Sequence, residues 1–344
     1  MHRRTFLSAT VATLTAGTSA FPEGTNKSGT RNPIFTAGDR RYECIHDCYT
    51  LPSTHQWQTS HGLCFDSSGF AYVIMQGHGG TPAQDTVHVF DPQGKYVRSF
   101  GKEYHPGGHG IDARKEGSEE FLYLCDVHHN QVIKTNLKGE QVWKLNAPTE
   151  PNVYDGKKKY KPTNVAFTDD GGFFIGDGYG SSYIHHYSKD AKWLRTFGGS
   201  GKDLNGLMTP HGLWIDNRPG RKGLLAIADR GNNRIVYTSL NGDTIGVVPG
   251  IEAPCNIDFH QELAVIPELN GRVTLLGKNN EILARFGDDA AWIAEVKKHK
   301  IRNDPKQWVS GKFVHPHDAC FDVHGNIYVV EWVQTGRITK LKLL

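Results

Sequence analysis

Short apolar runs rich in β-branched and aromatic residues recur along this chain, each bounded by clusters of Gly, Asp, Asn and Ser. LYLCDV, LLAIADR and IYVVEW are examples, and the turns between such runs read DSSG, TDDGG and DVHGN. Runs of this length with this punctuation predict strands joined by tight turns. A count of 39 glycines with 38% hydrophobic residues favours the same reading over long helices.

The pattern occurs six times. The repeats open at SHGLCFD, GHGID, KPTNVAF, TPHGLWID, APCNIDF and HPHDACF, with aligned anchors at His61, His109, Thr163, His211, Cys255 and His317. Successive anchors lie 48, 54, 48, 44 and 62 residues apart, near the roughly 40–50 residues of a propeller blade. Each repeat runs from an inner strand to a second strand that usually ends in an acid. A third strand such as RIVYTSL follows, then usually a fourth such as WLRTFG. The predicted fold is all-β, a six-bladed β-propeller. The last repeat stops after RITKLKLL, whereas residues 42–51 precede the first anchor without a blade of their own. Pairing 42–51 with 337–344 is expected to complete the last blade and remove two open edges. Residues 146–160 and 288–313 each join a fourth strand to the next inner strand, so both border the channel mouth. The second carries a short helical pattern, AAWIAEVKKH.

Before the repeats, Arg3 and Arg4 precede a mildly apolar run that ends in Thr18, Ser19 and Ala20. This reads as a twin-arginine export signal over residues 1–20, which predicts a periplasmic or secreted protein. Residues 21–41 read as a flexible leader and 42–344 as the propeller. Removing the signal lowers the net charge from +3 to +1, which gives no electrostatic case for nucleic acid. No apolar run in the remainder is long enough to span a membrane, and a monomer is expected. Among six cysteines, only Cys44 and Cys48 are close enough in sequence to suggest a local disulfide.

Three anchors on alternate repeats are histidines: His109, His211 and His317. Alternate blades of a six-fold ring are about 120° apart, so three equivalent imidazoles converge on its axis. Neutral imidazoles suit zinc, and three protein ligands leave a position open for chemistry. His61 occupies the same register but breaks the alternation, and is expected to face the substrate.

The motifs GHGID, KPTNVAF…GDGYGSSYI, TPHGLWID…ADRGNNRI and HPHDACFD, in that order, resemble the lyase domain of peptidylglycine α-amidating enzymes. That domain is a six-bladed propeller of the NHL-repeat class. The resemblance covers about residues 60–344 and is most specific from Pro162 to Arg234. It implies that His109, His211 and His317 bind a catalytic zinc, that Tyr179 is the base, and that Arg230 lies at the active site. It also implies a structural calcium at Asp318. Read from chemistry alone, Tyr179 could instead line the channel, and Arg230 could pair with a blade aspartate. The chain departs from the family where its first blade reads VIMQGHGG in place of a stretch like VIFHRGDH. Gln76, Gly77 and His78 stand where the family carries a substrate-binding arginine, so Gln76 and His78 are expected to line the substrate side. Gly180 replaces a cysteine of the family's disulfide pattern. The expected activity is zinc-assisted cleavage of a carbinolamide or related small hydroxylated substrate, free or peptide-borne, with weak turnover of α-hydroxyglycine peptides. Two other readings use the same motifs. One is a calcium-dependent lactonase with Asn164, Asn256 and Asp318 as oxygen ligands, and the other is a non-catalytic interaction propeller.

Overall fold

The computed structural model describes residues 32–78, 80–221 and 223–344. The predicted export signal and most of the leader lie outside the described residues. Five four-stranded antiparallel sheets and one five-stranded sheet form the six blades. Their inner strands are Thr59–Phe65, Gly108–Glu116, Asn164–Phe167, Pro210–Asp216, Asp258–His260 and Pro316–Phe321.

Alternate residues of a strand face opposite sides of its sheet, and every blade is covered on both sides. That is why the runs are apolar without interruption rather than alternating. In LYLC, Leu122 and Leu124 pack toward the first blade with Tyr72, Ile74 and Val89. Tyr123 and Cys125 pack toward the third with Val165, Phe173 and Ile175. One such apolar cluster fills each of the six boundaries between blades.

The last blade closes the ring as its missing strand requires. Its sheet runs Ile34–Ala37, Arg40–Ile45, Ile338–Leu343, Ile327–Glu331, Pro316–Phe321. Tyr42 opposes Leu343, and Ile45 opposes Lys340. The pairing is shorter than expected at one end, because the chain leaves the sheet after Ile45. It is also preceded by a strand that the sequence reading placed in the flexible leader. Ile34–Ala37 folds back on Arg40–Ile45 and lays Phe35 against Phe286, with ring centroids 5.3 Å apart. The leader therefore contributes a fifth strand, because apolar Phe35 has a ring to pack on. Cys44 and Cys48 form no disulfide. The Cys44 thiol lies 3.5 Å from His46 Nε2 instead. Within 288–313, Ala290–Val296 is the predicted short helix, N-capped by Asp289.

The acid that ends the second strand has a repeated task. Its carboxylate accepts a backbone N–H from the loop entering the same blade's inner strand. Asp177 holds Lys161 N at 2.6 Å, Asp229 holds Met208 N at 2.7 Å, Glu268 holds Glu252 N at 2.5 Å and Glu331 holds Val314 N at 2.7 Å. Arg234, Arg272 and Arg337 balance three of these charges. The inner strands of the third to sixth blades are thus fixed just before their anchor residues.

Further down the channel lie buried carboxylates. Asp318 accepts from Asn256 Nδ2 at 2.6 Å and Leu63 N at 2.8 Å. Asp258 accepts from Phe321 N at 2.8 Å, and Asp112 from Asn164 Nδ2 at 3.2 Å. Burial pushes Asp258 up to about 7 and Asp318 up to about 6. Asp112 is raised as well, by burial and by the charges of Asp318 and Asp258.

Two outcomes follow from this packing. Tyr42 is fully buried beside Phe286 in the core between the fifth and sixth blades, and its hydroxyl has no hydrogen-bond partner. Tyr42→Ala should cost about 3 kcal/mol in urea unfolding, whereas Tyr42→Phe should be neutral or stabilising. A large loss in the Phe variant would mean that the hydroxyl is bonded. For Asp258, the folded value exceeds the unfolded one of about 4, so the native state holds the proton more tightly. Its contribution is present at acid pH and is lost as pH rises through about 7. The stability of Asp258→Asn relative to wild type should therefore increase between pH 5 and pH 8. A difference independent of pH would show that Asp258 is not raised.

Candidate functional site

Four imidazoles meet at the start of the inner strands. The ring centroids of His109, His211 and His317 form a nearly equilateral triangle of 4.6–4.9 Å. His61 lies 4.8 Å from His109 and 4.4 Å from His317. Each of the four sits where the strand register shifts, between Ser60 and Gly62, Gly108 and Ile111, Pro210 and Gly212, and Pro316 and Asp318. A bulge leaves one residue out of the ladder and re-aims its side chain, here toward the axis. The Thr163 and Cys255 anchors precede their strands instead of lying in them.

The three alternate histidines share one hydrogen-bond arrangement. His109 Nδ1 lies 2.8 Å from Thr163 O, His211 Nδ1 2.7 Å from Cys255 O, and His317 Nδ1 2.8 Å from His61 O. Each acceptor is the carbonyl of the next blade's anchor. A carbonyl can only accept, so each Nδ1 carries the proton and each Nε2 presents a lone pair to the centre. Burial holds all four imidazoles below their usual pKa, His109 down to about 3. Nε2 of His109 and His317, and both ring nitrogens of His61, are buried without a hydrogen-bond partner. Neutral, oriented lone pairs in a buried site suit a cation. Two sets of ligand atoms fall within 4.8 Å of one another: His61, His109 and His317 in one, and His211, Cys255 and His317 in the other. The predicted triad is thus spread over two sets that share His317. His61 stands among the imidazoles.

Tyr179 and Arg230 reach this cluster from the turns after the second strands of the third and fourth blades. Tyr179 Oη donates to His211 Nε2 at 2.9 Å and accepts from Arg230 Nη1 at 3.2 Å. Arg230 Cζ lies 5.0 Å from the centre of the Tyr179 ring. Arg230 therefore faces the tyrosine, and Asp229 takes Arg234 as its partner. Burial raises the Tyr179 pKa, and the adjacent guanidinium opposes the rise. The anchor Cys255 sits with its Sγ 4.0 Å from Arg230 Nη1. Burial pushes its thiol up to about 11, so it is neutral at ordinary pH.

Gln76 ends the second strand of the first blade opposite Thr59, two residues before His61. His78 lies in the following loop, where its carbonyl accepts from Thr81 Oγ1 at 2.7 Å. Asn164, Asn256 and Asp318 each follow an anchor, and their polar groups are largely engaged. Asn164 Oδ1 accepts from Leu213 N at 3.1 Å, and Asn256 Oδ1 alone of these oxygens is buried without a partner. Sequence reasoning overlooked Arg302 and Trp332. Trp332 follows Glu331 as Arg230 follows Asp229, a register match that would have flagged it. Arg302 Cζ lies 3.2 Å from the Trp332 ring centre, and its Nε donates to Trp332 O at 2.8 Å. No acid pairs with Arg302 among the described residues, and burial lowers its pKa to about 10.

No family model matches the chain. It is 28% identical over 276 residues to peptidyl-alpha-hydroxyglycine alpha-amidating lyase 1 of Drosophila melanogaster, covering 72% of this chain and 47% of that protein. It is also 28% identical over 295 residues to lyase 2 of the same organism, covering 81% and 65%. Peptidyl-glycine alpha-amidating monooxygenase of Mus musculus is 29% identical over 189 residues, covering 53% and 18%. The matched region thus spans about half of the first relative and under a fifth of the mouse protein. Among solved structures, virginiamycin B lyase from Staphylococcus aureus superposes with a TM-score of 0.53 at 14% identity, covering 88% of this chain and 100% of that one. A gluconolactonase from Xanthomonas campestris superposes with a TM-score of 0.58 at 10% identity, covering 92% and 96%. At such identities these structures speak for the fold alone. Together with the sequence relatives, they make this chain a six-bladed β-propeller similar to the peptidyl-α-hydroxyglycine α-amidating lyases.

Proposed function

We propose that the protein is an exported, metal-dependent lyase that splits a carbinolamide into an amide and an aldehyde. The observation that carries this reading is the set of Nε2 lone pairs fixed by Nδ1–carbonyl bonds, with the Tyr179 hydroxyl on one of them. His109, His211 and His317 would hold the metal, with zinc the ion best suited to three imidazoles. When bound there, it would supply Lewis-acid polarisation of the substrate hydroxyl.

The chain's own groups account for the proton and for orientation. Having lost its own proton, Tyr179 acts as a phenolate whose Oη takes the proton from the carbinol O–H. The electron pair of that O–H bond becomes the second C=O bond as the C–N bond breaks. The departing nitrogen takes up a proton to leave as the amide, and the phenol can return the one it received. Arg230, donating to Tyr179 Oη, favours the phenolate during this exchange. Its remaining donors can orient an anionic substrate group. Arg302 brings a second guanidinium to the same end, on the blade next to Gln76. Lower in the channel, a hard cation such as calcium at Asp318 would offset the buried charges of Asp112 and Asp258. The lactonase reading is weaker, because the unpartnered buried lone pairs at the axis belong mostly to imidazole nitrogens, which suit zinc better than calcium.

Amide release from an α-hydroxyglycine peptide tests the reaction. Tyr179→Phe should lower kcat about 100-fold or more with little change in KM. Unchanged turnover would remove Tyr179 from the chemistry, and efficient lactone hydrolysis without amide release would favour the rival. Elemental analysis of protein purified without a histidine tag tests the metal. Wild type should retain about one equivalent of zinc that His211→Ala loses, while circular dichroism shows the propeller intact. Equal metal content in both would exclude His211 as a ligand.

A further inference from the structure

A cavity that the proposed reaction does not use opens beside Tyr179. It is a groove of about 680 Å³ lined by Lys157, Lys158 and Lys159 on one side and the stretch from Gly198 to Gly206 on the other. Tyr179, Gly180, Ser181 and Tyr183 contribute between them. All three segments are connections at the histidine end of the propeller: the 146–160 insertion, the turn carrying Tyr179, and the join into the fourth blade. A volume of this size falls within the roughly 300–1,000 Å³ of ligand sites.

The lysines are carried on an anchored strap. The Asp155 carboxylate accepts from Lys157 N at 3.1 Å and Lys158 N at 3.2 Å. Lys159 O accepts from Ser181 Oγ at 3.0 Å, and Asp177 accepts from Lys161 N and from Tyr154 Oη at 3.0 Å. Gly180 is what lets the strap come this close. A Cβ there would fall 1.8 Å from Asp177 Oδ1 and 2.3 Å from Lys159 O. The residue that departs from the family's cysteine is therefore the one that seats the lysines. Lys158 Nζ donates to Tyr183 Oη at 2.7 Å, and no carboxylate pairs with Lys157, Lys158 or Lys159 among the described residues. Asp203, the acid in the groove, is held by its own turn, accepting from Asn205 N at 3.1 Å and Gly206 N at 2.6 Å.

We infer that this groove binds an extended, acidic stretch of peptide attached to the nitrogen side of the cleaved bond. The inference rests on the lyase reading only for what lies at Tyr179. Like charges on one wall of a concave site focus a field that concentrates an anionic chain. The polar hydroxyls and open glycine backbone supply hydrogen bonds without selecting a particular side chain.

The test is fluorescence anisotropy with labelled short peptide amides that differ only in carrying two Glu, two Gln or two Lys. At about 20 mM salt the Glu peptide should bind about tenfold more tightly than the Gln peptide, and the gap should close near 0.5 M salt. Lys157→Gln/Lys158→Gln/Lys159→Gln should abolish the preference. The same charge change at Lys138, Lys189 and Lys192, which are exposed elsewhere, should not. Equal affinity for Glu and Gln peptides, or a preference that survives the first triple variant, would overturn the inference. Charge-selective binding without amide release would uphold the groove and defeat the lyase reading. Amide release with no charge preference would do the reverse.

Discussion

The antiparallel pairing of Arg40–Ile45 with Ile338–Leu343 is the contact on which the rest of the molecule depends. A propeller blade has little stability alone, because each of its faces is a core shared with a neighbour. Without that pairing, Ile338–Leu343 would be an open sheet edge, and the cluster around Tyr42, Phe286 and Leu341 would lose the side chains of the N-terminal strand. The N-terminal strand supplies the ladder that the final repeat lacks. Its side chains enter the core between the fifth and sixth blades. The additional strand Ile34–Ala37 then covers the new edge.

Ring closure is also what gives the channel its chemistry. Each of the three alternate histidines donates from Nδ1 to the anchor carbonyl of the following blade. His317 reaches across the closure to His61 O, so that orientation exists only when first and last blades meet. The bulges at the four histidines turn the side chains inward, and the carboxylates that end the second strands of the third to sixth blades pin the loops that enter their inner strands. Blade geometry, tautomer and lone-pair direction are therefore one connected consequence.

That arrangement is costly without a ligand. Buried lone pairs on His61, His109 and His317 have no donors, and three raised carboxylates lie below them. Unpaired buried polar groups cost free energy, and those of His61, His109, His317 and Asn256 share the axis. This clustering, together with Tyr179 and Arg230 at the rim, is what the proposed reading of the channel rests on. The lysine strap and Gly180 add a second polar feature at the same end, contiguous with the tyrosine.

How much was legible in the sequence follows from the range of each interaction. Apolar runs, turn residues and a period near that of a blade are local signals, so six repeats, the short last blade and the compensating N-terminal strand could all be read from them. The equal register of His109, His211 and His317 was legible too, because six-fold symmetry turns a linear spacing into a direction. Other features depend on contacts between segments far apart in the chain. His61 looked like an outlier in a three-fold alternation, yet bulges bring it within 4.4 Å of His317. Phe35 gave no local strand signal and orders only because Phe286 is there to receive it. Arg302 reaches Trp332 from an insertion whose path no periodicity encodes, and Gly180 meets Lys159 O only once the strap folds beside it. Repeats and register are properties of neighbouring residues and were determined by the sequence alone. Loop paths, bulge-directed side chains and the walls of the groove depend on which distant surfaces meet, and only the tertiary structure decided them.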